Sequence, residues 1–288
     1  MQTSLPFLGL GIGWRPELAL LIDRRRDLGF IELLAEDFDP RGPLPAPVEQ
    51  LRRRGVAVIP HGVTLSLGGA EPIDKERLAA LTGLAERVAA PLVSEHVAFV
   101  RGGGRETGHL LPLPRTRDAL EVLVANVRTA QATLPVPLAL ENVATLFEWP
   151  DAEMDEAAFL TEVLERTDAL LLLDAANVYA NARNHGYDPA AFLERSPLDR
   201  IAYVHVAGGV ERNGLYHDTH AAAVSAGVLD LLEELCALTT VPGVMLERDD
   251  HFPADAELNA ELDAIRTAAA RGAGRINKDA ALRKRAVG

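Results

Sequence analysis

Six side chains that can bind metal ions occur one at a time along the chain, and each follows a short apolar run. They are His61 after VAVIP, His96 in LVSEH, Glu141 after VPLAL, Asp174 after ALLLL, His205 after IAYV and Glu247 after GVML. The chain between successive runs is long enough for a helix. A parallel barrel brings the carboxyl ends of its strands to one face, where these side chains would meet. The pattern therefore constrains both the fold and the chemistry of the site, because gathered imidazoles and carboxylates are typical metal ligands.

Eight apolar runs alternate with segments of helical spacing or composition. The runs cover residues 6–12, 30–34, 56–60, 92–97, 136–140, 169–173, 201–206 and 243–246. Their continuous apolar character suits parallel strands that are covered on both faces. The pattern predicts a single α/β domain, a (βα)8 barrel of the TIM type with a metal site at the C-terminal face of the strands. We assign residues 1–270 to the barrel and residues 271–288 to a basic C-terminal tail that is frayed or disordered.

An open doubly wound sheet is the alternative fold, because three glycines follow the first apolar run and invite a dinucleotide-binding interpretation. Gly9, Gly11 and Gly13 have the spacing G-x-G-x-G, whereas the dinucleotide motif is G-x-G-x-x-G. Tight turning at the barrel mouth is the better interpretation of these glycines.

The net charge of −13 argues against binding to nucleic acids or anionic membranes, since both need a basic surface. No run approaches the ~20 apolar residues of a membrane helix. The N-terminal stretch MQTSLPFLGLGIG lacks the basic region of a signal peptide, so the expected compartment is the cytoplasm. The single cysteine, Cys236, lies in an amphipathic helical pattern and is expected to be a buried structural thiol.

The segment 208–224 adds His217, Asp218 and His220 to the candidate ligands. Asp218 and His220 are two residues apart, so on an extended loop their side chains point the same way. His217 points elsewhere and is expected to be structural or solvated. The set then has four imidazoles and four carboxylates, whereas a mononuclear site uses three or four protein ligands. The excess implies two or three metal ions bridged by carboxylates, and the absence of thiolates from the set favours iron, manganese or zinc.

The other histidines are weaker candidates. His109 lies in the glycine-rich segment 100–114, which is expected to be mobile and to form a hairpin or a lid. His185 and His251 lie in loop-like stretches, and all three are expected to serve loop structure or substrate contact. Taken alone, Glu141 and Asp174 have a simpler explanation as helix caps.

Several stretches resemble the successive signatures of the DUF692 family, the multinuclear non-heme iron-dependent oxidative enzymes that include oxidases of methanobactin biosynthesis. The matching stretches are HGVTLSLGGAEPID, LVSEHVAF, HLLPLPRT, LALENVATL, LLLDAANVYANARNHGYDP, YVHVAGG, HDTHAAAV and MLERDDHFP. The resemblance runs from the first strand to about Leu262, which is nearly the whole chain.

The resemblance implies a TIM-type barrel with two or three iron ions and dioxygen as co-substrate. It implies a precursor peptide as substrate, often modified at cysteine, and a separate leader-binding partner protein in some members. Asp249 matches an acidic residue near the substrate and is expected to transfer protons. The implied metal ligands are His61, His96, Glu141, Asp174, His205, Asp218, His220 and Glu247, with Asn177 as a further coordinating position.

The chain departs from the family pattern at four positions that are not core ligands. Ala176, Gly209, Arg115 and Phe99 stand where the family commonly has asparagine, histidine, tyrosine and tryptophan. These differences bear on the identity of the substrate.

Two other functions remain open at this point. One is a zinc- or manganese-dependent isomerase or hydrolase of the sugar isomerase or endonuclease IV type, whose metal ions gather at strand ends in the same way. The acidic net charge weighs against the nuclease. The other is a metal-dependent binding protein without turnover, although an open polar site on a barrel is usually catalytic.

Overall fold

The computed structural model describes residues 6–286, with side chains as far as residue 276. Eight parallel strands form a closed barrel. They are β1 (Gly9–Gly13), β2 (Leu28–Leu34), β3 (Ala57–Gly62), β4 (Val93–His96), β7 (Leu138–Glu141), β8 (Leu170–Asp174), β9 (Ile201–Val206) and β12 (Gly243–Leu246). Their spatial order is β1, β12, β9, β8, β7, β4, β3, β2, and β2 pairs with β1. Each of the eight apolar runs overlaps one barrel strand, and the barrel fold is confirmed.

Helices follow the strands and cover the outside of the barrel. They are α1 (Ala19–Arg24), α2 (Ala46–Arg53), α3 (Lys75–Val88), α4 (Arg117–Gln131), α5 (Glu156–Thr167), α6 (Ala175–His185), α7 (Pro189–Arg195), α8 (Ala226–Leu238) and α9 (Asp255–Ala286). Several begin at a side chain that accepts hydrogen bonds from the first turn, as Asp155 does for Ala158 N–H in α5. Local sequence thus determines where these helices begin.

Two antiparallel hairpins extend from the end of the barrel where the parallel strands have their carboxyl termini. The first, β5 (Ala98–Gly102) with β6 (Arg105–Pro112), follows β4. The second, β10 (Gly208–Arg212) with β11 (Leu215–Ala222), follows β9. The hairpin expected in the glycine-rich segment 100–114 is therefore confirmed, and the segment 208–224 forms a hairpin where only an extended loop was expected.

The core has two layers, because alternate side chains of each strand point to opposite sides. One layer packs between the strands and the helices and contains most of the buried aliphatic side chains. The other fills the barrel interior and is a separate cluster. In β9, for example, Tyr203 belongs to the interior cluster, whereas Val204 and Val206 belong to the outer layer.

Gly11 in β1 is required by close packing inside the barrel. A Cβ added at Gly11 would lie 2.5 Å from the ring of Phe30, which is fully buried in the interior. A side chain has no room there, and the closed barrel shows that the open-sheet, dinucleotide-binding alternative is wrong. Turning at the mouth is not the reason either, since Gly11 lies within the strand.

The predicted boundary between the barrel and the C-terminal tail, at residue 270, falls within α9. Leu258, Leu262 and Ile265 of this helix are fully buried, and Arg271 still pairs with Glu233 of α8 at 2.8 Å. The side chains beyond residue 276 lie outside the described residues, so the basic tail stays a prediction.

Two further expectations concern α8 and the membrane. Cys236 is buried in α8, and burial raises the pKa of its thiol to about 12, as expected for a structural cysteine. Within residues 6–286, no helix combines the length and the apolar character needed to cross a bilayer.

Candidate metal centre

The predicted ligands face the barrel interior at the carboxyl ends of the strands. Since side chains alternate along a strand, five of the six strand-end ligands lie two residues after a core residue of the interior cluster, and His96 lies two residues after the buried Ser94. The pairs are Ile59 and His61, Ala139 and Glu141, Leu172 and Asp174, Tyr203 and His205, and Met245 and Glu247. Strand register then brings the ligands to one level, with His96 beside Glu141 and Asp174 beside His205. All six are buried.

His61, His96 and Glu141 form the first potential metal-binding group. One ligand atom from each residue lies within 4.8 Å of the others. Oε2 of Glu141 is 3.4 Å from Nε2 of His61 and 3.3 Å from Nε2 of His96. Two imidazoles and one carboxylate are therefore arranged around a common point.

Glu141, Asp174, His205 and Glu247 form the second group, again with ligand atoms within 4.8 Å of one another. Nδ1 of His205 lies 3.0 Å from Oε2 of Glu247 and 3.5 Å from Oε1 of Glu141. Glu141 belongs to both groups and turns one oxygen toward each. This is the arrangement of a bridging carboxylate.

Asp174, Asp218 and His220 form the third group. The second hairpin carries Asp218 and His220 on β11 and brings them over the barrel mouth, where Nε2 of His220 is 2.5 Å from Oδ2 of Asp218. Asp174 is shared with the second group, as Glu141 is shared between the first two. Two further groups overlap these three, namely Glu32, His61 and Glu247, and His220, Glu247 and Asp249.

Asp174 also caps α6, so the capping and ligand interpretations are both satisfied by one side chain. Its Oδ1 accepts hydrogen bonds from the N–H groups of Ala176 (2.6 Å) and Asn177 (2.9 Å). Its Oδ2 remains available for a metal ion. Asn177 lies in the first turn of α6, and its Nδ2 donates to the carbonyl oxygen of Asn142 at 2.9 Å. This bond leaves Oδ1 of Asn177 as the atom that can coordinate.

Each of the four imidazoles contacts a protein acceptor through its second nitrogen. Metal-binding histidines commonly use such a contact to fix their orientation and tautomer. The acceptors are Ser94 Oγ for His61 (2.8 Å), Gly62 O for His96 (3.2 Å), Glu32 Oε2 for His205 (2.9 Å) and Asp249 Oδ2 for His220 (3.0 Å).

Glu32, Ser94 and Tyr203 are functional candidates that the sequence analysis missed. The Tyr203 hydroxyl lies 2.5 Å from Oε2 of Glu32 and 2.7 Å from Oγ of Ser94, so it joins the supports of two histidines. The spacing of residues along β2 could have identified Glu32 from the sequence. It lies two residues after the inward-facing Phe30, in the same relation that holds for the predicted ligands.

Charges in the centre shift the pKa values of its members in opposite directions. Burial alone would raise the pKa of Glu141, but His96 and His205 lower it to about 2. Burial alone would lower the pKa of His96, yet the charge of Glu141 raises it to about 9. Burial, together with the charges of Asp218 and Glu141, raises the pKa of Asp174 well above its ordinary value. A cation placed here would stabilise the charged carboxylates.

The buried polar atoms without hydrogen-bond partners point to a bound group. Over the described part of the chain there are eight such side-chain atoms, and five belong to the predicted ligands. They are Glu141 Oε2, Asp174 Oδ2, Asn177 Oδ1, His205 Nδ1 and Asp218 Oδ1. Leaving one buried polar atom unsatisfied costs about 1–3 kcal/mol. Five at one place are explained by coordination, and these residues can hold metal ions.

Asp249 lies at the outer edge of the centre, with its side chain 39% exposed. It contacts His220 on one side and forms an ion pair with the buried Arg15 on the other. The structure thus places this predicted proton-transfer residue between the centre and solvent.

The remaining histidines lie outside the three groups. His109 and His251 are exposed, and His217 is half-buried. Nε2 of His185 is 2.6 Å from Oγ of Thr145, so this side chain contacts the loop between β7 and α5.

Solved structures with a similar fold include an epimerase and an endonuclease. L-ribulose 3-epimerase matches with a TM-score of 0.60 and 18% identity, covering 95% of this chain and 97% of that one. Endonuclease IV from Thermus thermophilus matches with a TM-score of 0.59 and 19% identity, covering 89% of this chain and 98% of that one. At this level of identity the likeness shows the TIM-barrel fold alone.

Relatives by sequence are much closer. The UPF0276 protein of Streptomyces avermitilis is 54% identical over 270 residues, which is 91% of this chain and 55% of the relative. The chain therefore spans about half the length of that relative. A UPF0276 protein of Bordetella bronchiseptica is 40% identical over 282 residues, covering 94% of this chain and 97% of the relative.

A family model covers almost the entire barrel. Residues 9–270 match the family described as RiPP precursor modification enzyme MbnB/TglH/ChrH, where RiPP denotes a ribosomally synthesised and post-translationally modified peptide. This match confirms the resemblance to the DUF692 family and indicates an enzyme. The chain belongs to the MbnB/TglH/ChrH family of RiPP precursor modification enzymes.

Proposed function

We propose that the protein is a cytoplasmic oxidative enzyme that modifies a ribosomally made precursor peptide, at cysteine, with two or three iron ions and dioxygen. The family implies a peptide substrate. The three overlapping ligand groups support a multinuclear centre. The observation that carries the proposal is the set of five buried, partnerless ligand atoms that gather at the barrel mouth.

The overlapping groups would hold the two or three iron ions, and Glu141 and Asp174 would contribute ligand atoms to more than one group. The all-nitrogen and oxygen donor set fits iron. Bound iron would supply the one-electron and dioxygen chemistry that amino-acid side chains lack. The protein's own contribution is to fix the four imidazoles in advance through the acceptors described above.

Asp249 would act on the peptide rather than on the metal. Its carboxylate lies at the solvent edge of the centre, where a peptide that enters the mouth would meet it, and Arg15 fixes its orientation. There it would accept a proton from the substrate. A separate leader-binding protein would present the peptide, and co-purification with this chain tests that partner.

Anaerobic purification with elemental analysis and an optical spectrum tests the metal. We expect bound iron and a spectrum that changes on exposure to dioxygen. Glu141→Ala and His205→Ala should each abolish bound iron and activity, because both residues belong to the buried groups. His251→Ala is the control, since its side chain is 76% exposed. Retention of iron and activity by both ligand variants would contradict the proposal.

A zinc- or manganese-dependent isomerase or hydrolase is the second candidate. The same donor set suits these metals, and L-ribulose 3-epimerase and endonuclease IV share the fold. Zinc or manganese as the only bound metal, with no change on exposure to dioxygen, would favour this function over the first.

A further inference from the structure

A second cavity lies away from the metal centre, beside the loop between β7 and α5. Its volume is about 130 Å³, and its lining includes Arg115, Glu148, Glu156, His185 and Tyr187. One ordered water needs only ~10–15 Å³ of such space. The cavity is therefore large enough for a side chain of a bound molecule.

One carboxyl group that lines this cavity, that of Glu156, forms no ion pair with any described residue, whereas the two arginines of the lining are already paired. Arg115 pairs with Glu148 at 2.5 Å, and Arg195 pairs with Asp155 at 2.5 Å. Among the residues that the structure describes, Glu156 has no ion-pair partner within 4.0 Å. Burial raises the pKa of Glu156 to about 7, although the charge of Arg115 and a hydrogen bond with Asn181 oppose this effect. An incoming cation would restore the charged form of this carboxyl group.

An exposed aromatic pair, the aromatic rim, flanks the cavity-lining residue Glu148 in the chain. Phe147 and Trp149 are 44% and 38% exposed, and their rings meet edge to face at 5.5 Å. Trp149 Nε1 donates a hydrogen bond to the carbonyl oxygen of Pro112 at 2.8 Å, which fixes the indole. Glu148, which lines the cavity, lies between these two residues in the chain. Adjacent exposed rings of this kind are typical of a binding surface.

The charge of this surface favours a basic occupant. The segment LFEWPDAEMDE, residues 146–156, contains five acidic residues and no basic residue. Arg115 and Arg195 are both engaged in ion pairs. A cationic side chain next to an apolar one would complement both the carboxyl groups and the aromatic rim.

The length of α6 gives the approximate distance between the cavity and the metal centre, because one end of this helix lies at each of them. Asn177, a predicted ligand, lies in the first turn of α6, and His185 at its end lines the cavity. Eight residues of α-helix span about 12 Å. An extended peptide rises about 3.3 Å per residue, so about four peptide residues cover this distance.

We propose that the cavity and its aromatic rim bind a lysine or arginine side chain of the substrate peptide, next to an apolar residue and about four positions from the residue that reacts. This inference rests on the proposed function, since it assumes that a peptide occupies the metal centre. It adds a recognition element to that substrate.

Synthetic peptides test the inference with the metal-loaded protein as purified. One probe is Ac-Gly-Leu-Lys-Gly-Gly-Gly-Cys-Gly-NH2, and the matched probe has Glu in place of Lys. Binding is followed by tryptophan fluorescence, and Trp149→Phe identifies the signal of the rim, since the chain has two tryptophans. We expect saturable binding of the Lys peptide and affinity at least about tenfold weaker for the Glu peptide.

Variants of the cavity give a second measurement. Glu156→Gln and Phe147→Ser should each weaken binding of the Lys peptide about tenfold, while the control Asp151→Asn on the same loop should not. Equal affinity for both peptides, or affinity unchanged in both variants, would overturn the inference. Self-association that Phe147→Ser abolishes would also overturn it, because a second copy of the chain would then cover the rim.

Failure of this inference is distinguishable from failure of the proposed function. Iron content is measured in every preparation, and oxygen uptake is measured with each cysteine peptide. Charge-independent binding with intact iron rejects only the docking site. Charge-dependent binding without iron or oxygen uptake rejects only the proposed chemistry.

Discussion

Glu32 lies on β2 at the level of the predicted ligands and contacts both His205 and Tyr203. A carboxylate in this position accepts the second ring N–H of a histidine and directs the other nitrogen toward a metal ion. Nδ1 of His205 is one of the buried atoms without a hydrogen-bond partner. Glu32 therefore determines how His205 is presented to the centre.

We expect Glu32→Gln to weaken metal binding by about 10–100-fold while the fold is retained. The amide keeps the shape of the side chain but loses the charge that holds the imidazole. Competition with a chelator of known affinity measures the effect. Glu17→Gln, at an exposed position, is the control. Equal affinity of both variants and the parent protein would show that Glu32 does not support His205.

Glu156 makes stability depend on pH. Burial raises its pKa from 4.5 to about 7, so the folded protein binds this proton more tightly than the unfolded chain. The contribution of Glu156 to stability is therefore fully present below pH 4.5 and decreases as the pH rises to about 7.

The neutral variant Glu156→Gln should melt at a higher temperature than the parent at about pH 8 and at a similar temperature at about pH 5. Thermal unfolding over a pH series measures the difference, with the exposed Glu153→Gln as control. A difference that does not vary with pH would exclude Glu156 as its source.

The sequence predicts the ligands better than the residues that support them. Ligands such as His61 and Glu141 end apolar runs, so their position marks the mouth of a barrel. Ser94 and Tyr203 lie within such runs and look like ordinary strand residues. Their role depends on contacts between different strands, as in the hydrogen bond from Tyr203 to Ser94, and no spacing within one strand reveals it.

At the level of elements, all eight strands were predictable because buried parallel strands are continuous apolar runs. The second hairpin was not. Spacing indicated that Asp218 and His220 share a side, but pairing of β10 with β11 joins distant residues such as Gly208 and Ala222. A Cβ at Gly209 would lie 2.4 Å from the carbonyl oxygen of His217. The histidine common in the family at this position would therefore require a different hairpin geometry.

Gly208→Ala tests the role of this hairpin. An added Cβ would lie 2.1 Å from the carbonyl oxygen of Ala222, so β11 must move away from β10. Asp218 and His220 would move with it. We expect loss of about one metal ion per chain, because the ligand groups that depend on the hairpin share His220.

Elemental analysis measures the number of bound ions. Gly102→Ala in the first hairpin is the matched control, since nothing lies within 4 Å of its added Cβ. Full metal content in Gly208→Ala would show that the third group does not bind an ion.

At the scale of the whole molecule, the centre connects six of the eight barrel strands. Its ligands come from six strand ends and from one hairpin, so bound ions would link segments that are distant in the chain. The family and the fold could both be identified from the sequence. The second cavity could not, because Arg115, Glu156 and His185 meet only after α5 and α6 have packed.

Removal of the metal ions should lower the melting temperature. A ligand that binds only the folded state, at about a thousand times its dissociation constant, contributes about 4 kcal/mol of stability. We expect a decrease of about ten degrees after chelation. Differential scanning calorimetry measures it, and re-addition of iron should reverse it. The variant Glu141→Ala should show no further decrease with chelator, and an equal decrease there would implicate the chelator itself.

The alternation of side chains along each strand also separates the residues that pack the barrel from the residues that determine the chemistry at its mouth. Ile59 and Met245 fill the barrel, Val204 and Val206 pack against the outer helices, and ligands such as His205 and Glu247 belong to neither packed layer. Exchange of one strand-end residue therefore alters the chemistry at the mouth without disturbing the packing that folds the chain. A lineage built on this barrel can change its catalytic repertoire one strand at a time.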